Sequence, residues 1–107
     1  MISLVIIGRN EANNLERTFD SIKQNQFSEI IYVDCSSKDQ SIQIAKESKL
    51  NLKIISLKSN FYSASLARYV GLKYVKSELV QFLDGDMTLN EDWIIQSSKF
   101  LIDNNKV

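Results

Sequence analysis

The 107 residues contain no histidine, no proline and a single cysteine, Cys35. Without histidine the segment holds no Ser-His or Cys-His nucleophilic pair and no imidazole metal site. Any metal bound here would have oxygen ligands, which makes Mg²⁺ or Mn²⁺ the candidate ion. One cysteine cannot close an internal disulfide, which fits a reducing cytoplasm, and no neighbouring base is present to activate it. The absence of proline is not diagnostic. Long hydrophobic runs are missing too: Leu4-Val5-Ile6-Ile7 is far too short to span a bilayer, and no basic segment followed by an apolar one opens the chain as a secretory signal. Neither charge sign dominates, with thirteen basic and thirteen acidic side chains. The whole-chain charge therefore gives no electrostatic case for a nucleic-acid or anionic-membrane partner.

What remains is an ordinary globular mix, 44% apolar and 24% charged, in a chain with room for one domain. Short apolar runs alternate with segments of helical spacing. Strands are predicted at Ser3–Ile7, Glu29–Val33, Leu52–Leu57 and Leu79–Leu83. The first predicted helix runs from Asn10, a plausible N-cap, to about Gln24, with Leu15, Phe19 and Ile22 on one face. The second is capped by Ser36 or Ser37 and reaches Ser48, with Ile42 and Ala45 inward. The third spans Ser63 to about Lys76, with Leu66, Tyr69, Val70 and Lys73-Tyr74 on a broad face, and the last spans Glu91 to about Asp103 with Trp93, Ile94 and Leu101. Strand–helix alternation with near-continuous apolar strands predicts an α/β, Rossmann-like three-layer sandwich whose sheet is mainly parallel and covered on both faces.

In such sheets ligands bind beyond the carboxyl ends of the strands. The first predicted strand runs into Gly8-Arg9-Asn10-Glu11, the second into Asp34-Cys35-Ser36-Ser37 and the fourth into Asp84-Gly85-Asp86. These polar clusters converge on one edge. Asp84 and Asp86 are two carboxylates that can face one divalent ion, and Gly85 between them is expected to allow unusual dihedrals and close ligand approach. Turn chemistry alone also explains an Asp-Gly pair. Asp34 reads either as a turn residue or as an acceptor for a ligand N–H. Glu11 suits the first turn of a helix whatever the function. Arg68 reads either as a snorkelling surface arginine or as a cation for a diphosphate. Trp93 and Tyr62 read as packing residues.

Three blocks in order resemble family 2 glycosyltransferases: VIIGRNEANNLERTFDSI, then IIYVDCSSKDQSIQIA against a V-D-x-G-S-x-D run, then SASLARYVGLKYVKSELVQFLDGDMTLNEDWI against an A-R-N-x-G helix, a strand and a D-x-D motif. The resemblance covers nearly the whole chain. It implies the N-terminal half of a GT-A fold with strand order 3-2-1-4. It also implies base or ribose contacts for Glu11 and Asp34, a nucleotide-proximal arginine in Arg68, a ribose-proximal Asp84 and a metal-binding Asp86, with Mn²⁺ or Mg²⁺ as cofactor. Departures are Ile7 where many members have proline, Cys35-Ser36 in place of a D-G or N-G pair, and Tyr69 in place of the asparagine.

The resemblance implies transfer of a sugar from a nucleoside diphosphate sugar to a glycan or lipid acceptor, in cell-surface polysaccharide or glycoconjugate synthesis. A GT-A domain of this family is about twice as long, so residues 1–107 are expected to be one truncated donor-binding domain, with the general base in the part not included. Such a fragment would bind donor without transferring sugar. It would be cytoplasmic, or peripheral at the inner membrane face as part of a larger protein. A competing reading is a non-catalytic module that forms homo-oligomers through an exposed sheet edge. A receiver-like domain would need a carboxylate after the third strand, where Lys58-Ser59-Asn60 has none.

Overall fold

The protein is described by a computed structural model covering residues 2–58 and 63–89. The chain alternates β1 (Ile2–Gly8), α1 (Ala12–Asp20), β2 (Glu29–Cys35), α2 (Ser41–Glu47), β3 (Leu52–Leu57), α3 (Ala64–Leu72) and β4 (Leu79–Asp84). All three strand pairings are parallel, as the alternating pattern predicts, and the sheet order is β3-β2-β1-β4, as the family resemblance implies. The predicted final helix, with Trp93, Ile94 and Leu101, lies outside the described residues, as do Tyr62 and most of Lys58-Ser59-Asn60.

β1 and β2 occupy the middle of the sheet, which is why their sequences run apolar without alternation. Leu4, Val5, Ile6 and Ile7 are all fully buried, as are Ile31, Tyr32 and Val33. A strand covered on both faces has no solvent side on which to place polar residues. Alternate residues feed two cores. Leu4, Ile6, Ile30, Tyr32 and Leu83 meet Leu15, Phe19 and Ile22 of α1 and the segment after it, together with Ala45 of α2. On the opposite face Val5, Ile7, Ile31 and Val33 meet Ala67 of α3, with Val80 and Phe82 alongside.

The α1 face buries Leu15, Thr18 and Phe19, at the spacing expected of an amphipathic helix, and Ile22 just beyond its end is buried with them. Phe19 meets the Tyr32 ring edge-on at 5.8 Å. Two helix faces differ from expectation. Of the broad α3 face expected from Leu66, Tyr69, Val70 and Lys73-Tyr74, Val70 packs on the core while Leu66, Tyr69, Lys73 and Tyr74 are exposed, Tyr69 by 57%; the fully buried residues are Ala67 and Gly71. Small residues serve because the helix lies close to the sheet: a Cβ on Gly71 would stand 2.6 Å from Val5 Cγ1. On α2 it is Ala45 and Ile44 that reach the core cluster, with Ile42 half-buried.

Helix starts also differ. Asn10 does not cap α1: it sits at φ 56°, and Glu11 occupies the N-cap position with no side-chain cap of its own. α2 begins at Ser41 rather than after Ser36 or Ser37, because Ser36 is left-handed (φ 52°) and Ser37 is bonded to Asp34. Asn tolerates that region well, whereas a serine there is strained by about 1–2 kcal/mol. Ser36 partly offsets this by donating its hydroxyl to the Leu57 carbonyl at 2.9 Å.

Candidate functional site at the carboxyl edge of the sheet

The register places Gly8 beside Asp34, and Ile7 beside Asp84, so the loops after β1, β2 and β4 are neighbours. Strand parity then divides the acidic residues. Asp34 follows Tyr32 by two residues and faces the α1/α2 side, whereas Asp84 follows Phe82 by two and faces the α3 side. The sequence brings these residues to one edge, and the fold distributes them over its two faces.

On the α1/α2 side, Asp34 is fully buried. Its Oδ1 accepts the Tyr32 hydroxyl at 2.7 Å and the Ser37 hydroxyl at 2.6 Å, while Oδ2 accepts the Ser37 N–H at 3.0 Å. Burial first, and then the adjacent carboxylate, pushes the Tyr32 phenol well above its ordinary value, so it stays a donor. The β1 and β2 loops are laced together. The Asn10 N–H donates to Ser37 Oγ at 2.8 Å, and Asn10 Oδ1 accepts from the Lys38 N–H at 2.7 Å. The Glu11 N–H donates to Ser41 Oγ at 3.0 Å and the Ala12 N–H to Asp39 Oδ2 at 3.0 Å.

Asp39, which was not among the expected site residues, also accepts from the Ser41 N–H at 2.9 Å and its hydroxyl at 2.5 Å. Burial acts to raise its pKa, but the hydrogen bonds from Ser41 and Ala12 outweigh burial and hold the carboxyl below its ordinary value. A signal for it existed in the second sequence block, whose last aspartate it is.

Glu11 stands between two glycines. A Cβ on Gly8 would meet Glu11 Cγ at 3.5 Å, and one on Gly85 would meet Glu11 Cβ at 3.4 Å. Its carboxylate accepts from Asn14 Nδ2 at 3.1 Å. Gly85 does not serve through unusual dihedrals, since no glycine here has positive φ. It serves through space: a Cβ would lie 3.1 Å from Leu15 Cδ2 and 3.3 Å from the Ile7 carbonyl. The turn is tied to β1 by Gly85 N–H to Ile7 O at 2.8 Å and to α1 by the buried Thr18 hydroxyl to Gly85 O at 2.9 Å. A further bond runs from the Leu89 N–H to Ser21 Oγ at 2.9 Å.

On the α3 side, Arg68 Nη2 lies 3.4 Å from Asp84 Oδ1, with side chains 40% and 46% exposed. Asp86 is exposed on the same turn. Among the described residues no group of three or more ligating side chains could enclose a metal ion. Asp84 and Asp86 offer hard carboxylate oxygens, a donor set suited to an ion that shares its coordination with substrate phosphates.

A parallel sheet in the order 3-2-1-4, with acidic loops at its carboxyl edge and an arginine–aspartate pair beside them, is the framework of a GT-A domain. The chain belongs to glycosyl transferase family 2, whose model matches residues 3–107. It is 29% identical over 105 residues to the poly(ribitol-phosphate) β-N-acetylglucosaminyltransferase TarS of Staphylococcus aureus, covering 92% of this chain and 18% of that protein. To the S. aureus poly(ribitol-phosphate) β-N-acetylglucosaminyltransferase TarP it is 32% identical over 96 residues, covering 84% of this chain and 29% of the relative. The crystal structure of S. aureus TarS 1–349 in complex with UDP-GlcNAc superposes with a TM-score of 0.74 at 26% identity, over 95% of this chain and 31% of that one. The chain thus spans less than a third of these two curated relatives.

Proposed function

We propose that these residues form the donor-binding region of a glycosyltransferase that moves a sugar from a nucleoside diphosphate sugar to a glycan or lipid acceptor in cell-surface polysaccharide or glycoconjugate synthesis. The observation that carries this reading is the Arg68–Asp84 pair and exposed Asp86 on a turn seated beside Glu11, in a chain of this family. Arg68 supplies charge to the diphosphate, and Asp84 lies toward the ribose. Asp86, with Asp84, would hold Mn²⁺ or Mg²⁺, which neutralises the diphosphate leaving group when bound. Glu11 contacts the base or ribose. Asp34, fully buried, keeps one unspent lone pair on Oδ2 for a ring N–H.

Residues 1–107, taken as one domain, bind the donor, and no described residue is assigned as the catalytic base. A cytoplasmic site of action, at the inner membrane face in a larger protein, agrees with the buried free thiol of Cys35. No helix among the described residues is long and apolar enough to cross a membrane. The test is calorimetric titration with UDP or GDP and Mn²⁺: binding is expected to require metal and to vanish in Asp86→Ala. No heat from either nucleotide, with or without metal, sinks the proposal.

A second reading, homo-oligomerisation through a sheet edge, draws on the outer positions of β3 and β4 among the described strands and on the half-buried Ile54 and Ile55 of β3. Size-exclusion chromatography separates the two, since association alone predicts a stable oligomer indifferent to nucleotide and metal.

A further inference from the structure

We propose that Asp39 is a positioning residue for the donor nucleotide: with Ser41 it caps α1 from the neighbouring loop and sets where Glu11 stands. The inference rests on the donor-binding reading and extends it to a residue placed one loop away from Glu11. α1 has no cap of its own. Two consecutive N–H groups at its start instead lead to one carboxylate in another loop. The Ala12 N–H reaches Asp39 Oδ2 directly at 3.0 Å. The Glu11 N–H reaches Ser41 Oγ at 3.0 Å, and that hydroxyl donates onward to Asp39 Oδ1 at 2.5 Å.

A helix N-terminus is where many α/β proteins bind a ligand's phosphate, because free N–H groups and the helix dipole both favour an anion. Here the chain's own carboxylate fills that place. The donor's charged groups are thereby directed away from α1 to the α3 side, where Arg68 stands. In addition, the backbone beside Glu11 is held by one charge-assisted hydrogen bond, from the Ala12 N–H to Asp39, of a kind about twice as strong as a neutral one, while the Glu11 N–H is held by the neutral Ser41 hydroxyl. The bonds from Asn10 to Ser37 and from Lys38 to Asn10 hold the same two loops in register.

The chemistry of an amide separates the roles of Asp39. In Asp39→Asn the remaining carbonyl oxygen still accepts from Ser41, but the amide NH₂ confronts the Ala12 N–H donor against donor. Asp39→Ala removes both sets of bonds. Titration of UDP with Mn²⁺ reports dissociation constant and stoichiometry separately. In Asp39→Asn the dissociation constant is expected to rise at least tenfold with full stoichiometry and cooperative unfolding retained, and Ser41→Ala is expected to move it in the same direction. A merely structural role gives reduced stoichiometry at the wild-type dissociation constant, which overturns the proposal, as does wild-type affinity in both Asp39 variants. If Asp39→Ala fails to fold, Asp39→Asn carries the test. Should the unmodified chain take up no UDP, the donor-binding reading has failed. Amide exchange at Glu11 and Ala12 then decides the cap: faster exchange in Asp39→Asn supports it, and unchanged protection overturns it.

Discussion

β2 and β4 end alike, each with an aspartate in its last two residues, and these aspartates are in opposite states. Asp34 is sealed, accepting three hydrogen bonds from Tyr32 and Ser37. Asp84 is half exposed and touches a single guanidinium at 3.4 Å. The difference lies in the residues that come next in each loop. After β2 come Ser36, Ser37, Asp39 and Ser41, hydroxyls and a carboxylate that bond inward to neighbouring strands and helices. After β4 comes Gly85, whose bonds are made by its backbone alone, so Asp84 meets Arg68 at the surface and Asp86 stands exposed. Hydroxyl-rich turns bury an acidic strand end among hydrogen bonds, and a glycine turn leaves one open to solvent.

The contrast is broken most severely by Asp34→Ala. It strands the buried Tyr32 hydroxyl and frees the Ser37 turn, with an expected loss of about 3 kcal/mol in urea unfolding. Thr18→Val keeps the shape but leaves the Gly85 carbonyl without its side-chain donor. About 1–2 kcal/mol is expected, together with a loosened turn visible as faster amide exchange at Gly85. Asp84→Ala should cost less than about 1 kcal/mol of stability, because the ion pair it breaks is solvent-screened. Its UDP affinity should nonetheless fall at least tenfold, a split between stability and binding that Asp34→Ala does not show.

The pH dependence sharpens the comparison further. Asp39 and Glu29 are both held below their ordinary values, burial being outweighed by hydrogen bonds from Ser41 and Ala12 in the first case and from Lys76 and Ser3 in the second. A depressed carboxylate stabilises the fold above its unfolded pKa and loses that contribution as pH falls through its folded one. Thermal stability should therefore drop below about pH 4, with a shallower drop in Asp39→Asn. The smallest effect is expected for Ser36→Gly, which relieves a left-handed serine but forfeits its bond to the Leu57 carbonyl. A net gain of up to about 1 kcal/mol in unfolding free energy is the expected balance.

Much of this was legible in the sequence, for reasons that particular elements make plain. β1 and β2 are readable because strands buried on both faces must be apolar throughout, and α1 because Leu15, Phe19 and Ile22 repeat at helical spacing. α3 misleads for the opposite reason. It packs so closely that its fully buried residues are Ala67 and Gly71, which carry almost no hydrophobic signal; Val70 of the expected face does reach the core, but Leu66 and Tyr69 lie exposed on the outer side. The pairing of Arg68 with Asp84 agrees with their shared sequence block. The cap supplied by Asp39 was not legible, because a helix capped from another loop leaves no local mark at its own start.

Strand order also works as a ruler. β2 and β4 lie on either side of β1, so their terminal aspartates are two strand spacings apart, about 10 Å, and face opposite sides of the sheet. A molecule that engages both Asp34 and Asp84 has to arch over the end of β1 and carry separate polar groups at its two extremities. A lone sugar, a free base or an inorganic phosphate is too short to span that distance. Discrimination by length would thus be set by the order in which four strands lie side by side.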